Sequence, residues 1–275
     1  MLHLLSVSWK KPPPAAARER FPYSVPAIRD LDEIEFRSPV TFFVGENGSG
    51  KSTLLEGIAA AADLPALGSD MDVARDATLG AQRELGERLR LAWGEGRWSR
   101  SPRSRRGFYL RAEDFFGHLK FLAKNRARID RERREAAELG ARRDSQIEPV
   151  DDRVDEAASA QYLGLYDARS HGESFLELFE NRVTDGLYLL DEPEAPLSAQ
   201  RQLTLITQIA AAVEDGAQFV IATHSPILLA FPGATIYAFG EGAPRAVPYE
   251  ELEHVRLTRD FLNAPGRYLR HIVQE

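Results

Sequence analysis

The chain has 275 residues, of which 43% are hydrophobic and 28% are charged, and its formal net charge is −7. This composition is typical of a globular protein with a sizeable core, and the absence of cysteine excludes disulfides and cysteine-based metal sites. No stretch of 18 apolar residues is present and the start lacks the pattern of a signal peptide. We therefore expect a cytoplasmic protein with no membrane insertion.

Short strands are predicted near the start of the chain, at residues 2–7, 34–36 and 40–44. The last of these is rich in β-branched and aromatic residues and is followed by glycines, which is typical of a buried strand. The proline-rich connection between the first two strands is expected to lack regular structure. A helical pattern begins at Ser52, with apolar residues recurring on one face.

The middle of the chain differs in charge from the rest. Fifteen Lys or Arg and six Asp or Glu lie between residues 97 and 143, and a charged helix is predicted over residues 119–139. We interpret residues 65–179 as a variable, helical lobe with a basic insert. The core of the fold is expected in residues 1–64 and 180–275 of a single domain spanning residues 1–275.

Strands and helices alternate again in the last third of the chain. Buried strands are predicted at residues 186–190, 218–222 and 235–239, and a helix between the first two begins after Ser198 and ends at Gly216. Continuous apolar strands separated by a helix indicate a mainly parallel sheet covered on both faces. The predicted fold class is therefore α/β.

A complete phosphate-binding loop follows the strand at residues 40–44. It matches G-x-x-x-x-G-K-[ST] and consists of Gly45, Glu46, Asn47, Gly48, Ser49, Gly50, Lys51, Ser52 and Thr53. The backbone N–H groups and the following helix N-terminus favour the β-phosphate of a nucleotide. We expect Lys51 to bind β- and γ-phosphate oxygens and the Ser52 hydroxyl to bind magnesium. ATP and Mg²⁺ are the predicted ligands.

Two carboxylates follow the strand at residues 186–190, and a histidine follows the next strand. Ligands in open α/β sheets bind where strands end, so Asp191 is predicted to hold magnesium and Glu192 to act as a general base. His224 is predicted to emerge beside Glu192 and to contact the γ-phosphate or the attacking water.

A weaker anion site is predicted at residues 170–173, before a short helical run. Its physical basis is the Ser170 hydroxyl and the Gly172 N–H group at a helix N-terminus.

These segments, in this order, resemble those of ATP-binding-cassette (ABC-type) ATPases. Residues 170–173 stand where that family has its Leu-Ser-Gly-Gly-Gln/Glu signature, with His171 in place of the first glycine. The chain is most similar to a small family of predicted ATPases, related to the heads of chromosome-maintenance, break-repair and overcoming-lysogenisation ATPases. The stretches that carry this similarity include Tyr-Leu-Leu-Asp-Glu-Pro-Glu at 188–194 and Ala-Thr-His-Ser-Pro at 222–226.

The resemblance implies an N-terminal antiparallel β portion beside the parallel sheet and an ATP-dependent homodimer. Two ATP molecules would lie between head-to-tail subunits, with Ser170 and Gly172 capping the partner's nucleotide. Residues 195–198 occupy the segment that contacts the opposite subunit (the D-loop). The family's Q-loop glutamine has no clear match, and Glu113, as a metal ligand, or Arg111 is the candidate substitute. Tyr23 and Phe21 are candidates for the adenine contact, although a core or loop role is favoured for both.

Several functions remain open from sequence. The arginines at residues 97–106, with Trp98, either bind nucleic-acid phosphates or form a solvated charged face. The second interpretation is favoured, because glutamates interleave with the arginines of the following helix. The chain is then an ATP hydrolase acting in DNA repair or phage defence, the ATPase subunit of a transporter, or an ATP-switched binding module. The protein partner is not predicted.

Overall fold

The computed structural model describes residues 2–67, 80–94, 106–113 and 171–270. Its strands are β1 (Leu4–Trp9), β2 (Ile34–Glu35), β3 (Val40–Val44), β4 (Ala66–Leu67), β5 (Leu89–Trp93), β6 (Gly107–Arg111), β7 (Leu187–Asp191), β8 (Gln218–Ala222), β9 (Thr235–Gly240) and β10 (Gly242–Ala246). Its α-helices are α1 (Pro26–Arg29), α2 (Lys51–Ala62), α3 (Gly80–Arg88), α4 (His171–Arg182), α5 (Ala199–Glu214), α6 (Glu253–Asn263) and α7 (Pro265–Leu269). Short 3₁₀ helices lie at Ala15–Ala17, Leu228–Ala230 and Tyr249–Glu251.

The larger sheet has the strand order β10-β9-β3-β8-β7-β6-β4 among the described residues. All neighbouring pairs from β9 to β4 are parallel, and only β10 runs antiparallel to its neighbour. Because β8 lies between β3 and β7, three strand ends meet at one edge of the sheet. The predicted α/β class with a mainly parallel sheet is confirmed.

A smaller antiparallel sheet has the order β2-β1-β5. The buried Gln218 side chain at the start of β8 joins it to the larger sheet by accepting from the backbone N–H groups of His3 and Leu4, each at 2.8 Å. This sheet is the antiparallel β portion expected near the N-terminus.

The larger sheet is buried on both faces, as its continuous apolar strands predicted. Phe43 and Leu189 point into a core that includes Leu54 and Ile58 of α2. Their strand neighbours Phe42 and Leu190 point to the other face. There they pack in a second core with residues of α4 and α5, namely Phe175, Phe179, Leu205 and Ile209. The alternation arises because successive side chains of a strand point to opposite faces.

The described strands of residues 65–179 are part of the two sheets. β4 and β6 extend the larger sheet, and β5 pairs with β1 in the smaller one. The core therefore also includes short strands from outside the expected residues 1–64 and 180–275. A short strand can pair with the edge of a sheet without a clear pattern in its sequence. The predicted helix at 119–139 and nearly all of the basic run lie outside the described residues.

The proline-rich connection also departs from expectation, because it contains the 3₁₀ helix Ala15–Ala17 and the short helix α1. Pro26 occupies the first turn of α1, where the missing N–H of proline costs no hydrogen bond. Within the described ranges, no helix has the length and apolar character needed to cross a bilayer.

Candidate functional site

The phosphate loop, residues 45–53, connects β3 to α2 and depends on glycine for its shape. Gly48 and Gly50 adopt the left-handed region, with φ of 80° and 101°. A Cβ atom at Gly50 would lie 2.7 Å from Val25 Cγ1, and one at Gly45 would lie 2.3 Å from the Phe239 carbonyl oxygen. The glycines therefore allow both the turn and the close approach of neighbouring chain.

Helix α2 begins at the end of this loop without a side-chain cap. Its N-cap residue is Gly50, and no side chain accepts a hydrogen bond from the first turn. In contrast, Ser198 caps α5 by accepting from the Arg201 N–H. Uncapped N–H groups and the helix dipole favour an anion at the start of α2.

Lys51 is folded into the loop and is only 4% exposed. Its Nζ donates to the carbonyl oxygens of Gly45, at 2.8 Å, and Glu46, at 3.1 Å. Burial lowers the pKa of the Lys51 ammonium, while Glu192 and Asp191 oppose this shift. Both carboxylates are thus close enough to act on the lysine.

Asp191 and Ser52 are in direct contact at the end of β7. The Ser52 hydroxyl donates to Asp191 Oδ1 at 3.0 Å, and the Arg111 guanidinium lies 3.9 Å from Oδ2. Burial raises the pKa of the Asp191 carboxyl to about 6, although the Ser52 hydrogen bond and Arg111 oppose the shift. A desolvated carboxylate beside a hydroxyl fits Mg²⁺, which prefers oxygen ligands and retains several waters and phosphate oxygens. The donor set therefore fits the expected metal.

Glu192 and His224 lie side by side at the same sheet edge. His224 Nε2 is 3.8 Å from Glu192 Oε1, and the two side chains are 39% and 40% exposed. Glu192 has a φ of 51°, which is unfavourable for a glutamate, and its N–H donates to the Ala222 carbonyl at 2.9 Å. This strained backbone turns the carboxylate towards the end of β8.

The surroundings of the phosphate loop match a known family. A family model described as an AAA domain matches residues 23–69, which include the whole loop, β3 and α2. The match therefore covers the segment that carries the phosphate loop, together with the strand and the helix on either side of it.

The solved structures that are similar to this chain have low sequence identity to it. A putative metal-chelate type ABC transporter in an inward-facing conformation is 15% identical, with 95% of this chain and 90% of that chain covered and a TM-score of 0.45. CbiO1 from Clostridium perfringens, part of the ABC transporter complex cbiONQ, is 14% identical, with coverages of 98% and 100% and a TM-score of 0.47. The SMC head domain from Thermotoga maritima is 17% identical, with coverages of 90% and 99% and a TM-score of 0.40. No curated protein sequence matches the chain.

The weaker anion site predicted at residues 170–173 is described only in part. Ser170 lies outside the described residues, whereas Gly172 is buried in the first turn of α4. A Cβ atom at Gly172 would lie 3.0 Å from the Pro196 carbonyl oxygen and 2.9 Å from Arg201 Cδ. Gly172 therefore packs against residues 195–198, the segment expected to contact a second subunit.

The two candidate substitutes for the Q-loop glutamine differ in their contacts. Arg111 is paired in register with Asp191 across β6 and β7, so its guanidinium lies beside the Asp191 carboxylate. Glu113 is 69% exposed and its carboxylate lies 3.7 Å from Arg111. Metal binding by Glu113 stays a prediction, since its described contact is with a cation.

The adenine contact is not assigned, but one candidate belongs to the core. Tyr23 is fully buried and its hydroxyl donates to Glu84 Oε1 at 3.2 Å, whereas Phe21 is 51% exposed. Tyr23 is therefore a core residue, as favoured from sequence.

Two further residues were not singled out from sequence. Glu194 Oε1 accepts from the His224 N–H at 2.7 Å, and thereby joins the turn after β7 to the loop after β8. Its signal was present, because it is the third acidic residue of the run at 191–194. His254, on α6, has a buried Nε2 atom without a hydrogen-bond partner among the described residues. No spacing rule connects it to the phosphate loop.

Proposed function

We propose that the chain hydrolyses Mg-bound ATP at the edge formed by β3, β8 and β7, and that ATP binding closes a head-to-tail homodimer. The observation that carries this proposal is the convergence of four groups from three chain segments. Ser52 contacts Asp191 at 3.0 Å, and His224 lies 3.8 Å from Glu192.

The phosphate loop would bind the triphosphate. Its backbone N–H groups and the start of α2 surround the β-phosphate, and Lys51 binds β- and γ-phosphate oxygens. Lys51 now donates to two loop carbonyls, so binding exchanges those hydrogen bonds for charge-assisted ones to phosphate. The Ser52 hydroxyl and the Asp191 carboxylate would hold Mg²⁺, which neutralises phosphate charge when bound.

Glu192 would act as the general base. Its carboxylate accepts a proton from a water whose oxygen forms a bond to the γ-phosphorus. The bond from the γ-phosphorus to the β–γ bridging oxygen breaks, so the products are ADP and phosphate. Lys51 stabilises the charge that develops on the departing ADP, and His224 positions the water or a γ-phosphate oxygen.

The homodimer part of the proposal is supported by the packing of the signature segment. Gly172 lies against Pro196, so the two segments expected to meet a second subunit are neighbours in the fold. Ser170 and Gly172 would then bind the γ-phosphate held by the partner. These charge-assisted contacts are lost on hydrolysis, which reopens the dimer.

Two variants test this mechanism. Lys51→Ala removes the buried ammonium and is expected to abolish nucleotide binding, measured by calorimetry with Mg-ATP. Glu192→Gln keeps the size of the side chain but removes the base, and is expected to bind ATP and accumulate a dimer in light scattering. Phosphate release at the wild-type rate by Glu192→Gln would contradict the assigned base, and a monomer in saturating ATP would contradict dimer closure.

What hydrolysis drives is a separate proposal, and we favour an action on nucleic acid or a protein complex, as in repair or phage defence. The nucleic-acid part of this proposal draws on the excess of arginine and lysine between residues 97 and 143, although a solvated charged face is the interpretation favoured from sequence. DNA or RNA that stimulates phosphate release in a salt-sensitive way would support nucleic-acid action. Co-purification with an integral membrane protein would instead favour a transporter subunit, and absence of phosphate release would favour an ATP-switched binding module.

A further inference from the structure

His254 is a histidine with a buried nitrogen that the proposed mechanism does not use. It lies in the first turn of α6, and its Nε2 atom has no hydrogen-bond partner among the described residues. A buried polar atom without a partner is energetically costly, so such atoms are uncommon unless a ligand or water pairs with them.

The start of α6 is fixed against the loop that carries His224. The Tyr249 hydroxyl, just before the helix, donates to the Pro226 carbonyl oxygen at 3.0 Å. Leu252 and Val255, on either side of His254, are buried in the same core as Leu228, which follows that loop. His254 is therefore held at a defined position near the end of β8.

Charged groups of the nucleotide site act on His254 from two segments. Its pKa is lowered by burial and then by His224, and Glu46 of the phosphate loop opposes this shift. The hydrogen bond from Tyr249 to Pro226 places the start of α6, and with it His254, beside the histidine loop. His224 Nε2 is likewise buried without a hydrogen-bond partner among the described residues. Both imidazoles therefore have an Nε2 atom that lacks a hydrogen-bond partner among the described residues.

We infer that His254 is a second histidine of the nucleotide site, whose Nε2–H binds an oxygen of the terminal phosphate of ATP. The inference rests on the proposed binding of ATP to the phosphate loop. A neutral imidazole still donates one N–H, and a hydrogen bond to a charged acceptor is stronger than one between neutral groups. ADP lacks the terminal phosphate, so His254 distinguishes ATP from ADP and connects that difference to α6.

The test compares Mg-ADP with a non-hydrolysable Mg-ATP analogue, AMP-PNP, by calorimetry. His254→Ala is expected to weaken AMP-PNP binding roughly tenfold or more, the loss expected for one hydrogen bond to a charged group, while ADP affinity is unchanged. His254→Gln can place an amide N–H near the position of Nε2 and should retain more affinity than the shorter His254→Asn. Arg256→Ala, an exposed change on the same helix, is the matched control and should alter neither affinity.

Each outcome bears on the inference. If His254→Ala weakens the binding of both ligands equally, the proposed contact with the terminal phosphate is wrong. The contact is also wrong if the variant only lowers the thermal midpoint of the nucleotide-free protein. If wild-type protein binds both ligands and the ratio of their affinities is unchanged in His254→Ala, only the role of His254 fails. Wild-type protein that binds neither ligand would overturn the proposed function, and this inference with it.

Discussion

Glu194 offers a sharp test of how the catalytic edge is held together. Its Oε1 accepts from the His224 N–H at 2.7 Å, while its Oε2 is buried without a hydrogen-bond partner among the described residues. Glu194→Ala removes both oxygens at once. The backbone of His224 then loses the acceptor that fixes the loop beside Glu192.

The expected effect on stability is small, because two terms oppose each other. A hydrogen bond to a charged group contributes about 1.5–3 kcal/mol, and the unpaired buried oxygen costs about 1–3 kcal/mol. These two ranges nearly cancel, so we expect the free energy of unfolding to change by less than about 1 kcal/mol, which corresponds to less than about 2–4 °C in the thermal midpoint.

The expected effect on turnover is larger, because nothing compensates for a displacement of His224. A shift of about 1 Å in a positioning group can lower kcat about 100-fold. We therefore expect kcat for phosphate release to fall by roughly ten- to a hundredfold in Glu194→Ala. KM for ATP should change less, because the phosphate loop is untouched.

Glu194→Gln is the matched control. It keeps an oxygen acceptor at the position of Oε1 but loses the charge, and charged hydrogen bonds are about twice as strong as neutral ones. Most of kcat should therefore survive in this variant. Wild-type kcat in Glu194→Ala, or equal losses in both variants, would refute the positioning role of this hydrogen bond.

Two further substitutions test the fold around the site. Gly45→Ala places a Cβ atom 2.3 Å from the Phe239 carbonyl oxygen, so it should lower both the thermal midpoint and the Mg-ATP affinity. Gly240→Ala is the control, because a Cβ atom there meets nothing within 4 Å, and it should change neither quantity. Tyr188→Phe removes the buried hydroxyl that accepts from the Thr184 N–H at 2.8 Å and donates to its carbonyl at 3.1 Å. It should cost about 1–3 kcal/mol in urea unfolding with little change in ATP affinity, and wild-type stability would contradict this account.

Much of the site was predictable because its chemistry depends on local sequence. A loop that surrounds a phosphate needs glycines, a lysine and a hydroxyl at fixed spacing, so residues 45–53 can be identified without a fold. The meeting of Glu192 and His224 followed from one further rule, that parallel strands end at a common edge. Buried strands such as Val40–Val44 were equally clear, since their apolar runs are continuous.

The unpredicted parts depend on contacts between distant segments. The joining of β5 to β1 brings residues 89–93 beside residues 4–9, and only tertiary packing chooses that partner. The position of His254 likewise depends on the packing of Leu252 and Val255 in the core. Sequence periodicity can place these two residues on one face of a helix, but it does not show which element that face packs against. The sequence shows that residue 194 is an acidic residue. It could not show the hydrogen bond to His224, because the donor is a backbone N–H group, which every residue except proline has.

Two reciprocal hydrogen bonds explain why the loops after β7 and β8 should respond together to a nucleotide. The Glu192 N–H donates to the Ala222 carbonyl at the end of β8, and the His224 N–H donates to the Glu194 side chain after β7. Movement of either loop therefore strains a bond to the other, and Glu192 already has an unfavourable φ of 51°. A ligand that displaces His224 would pull on Glu194, which stands next to the D-loop segment at 195–198. In the proposed dimer, the route from the γ-phosphate to the second subunit is therefore short and passes through His224 and Glu194.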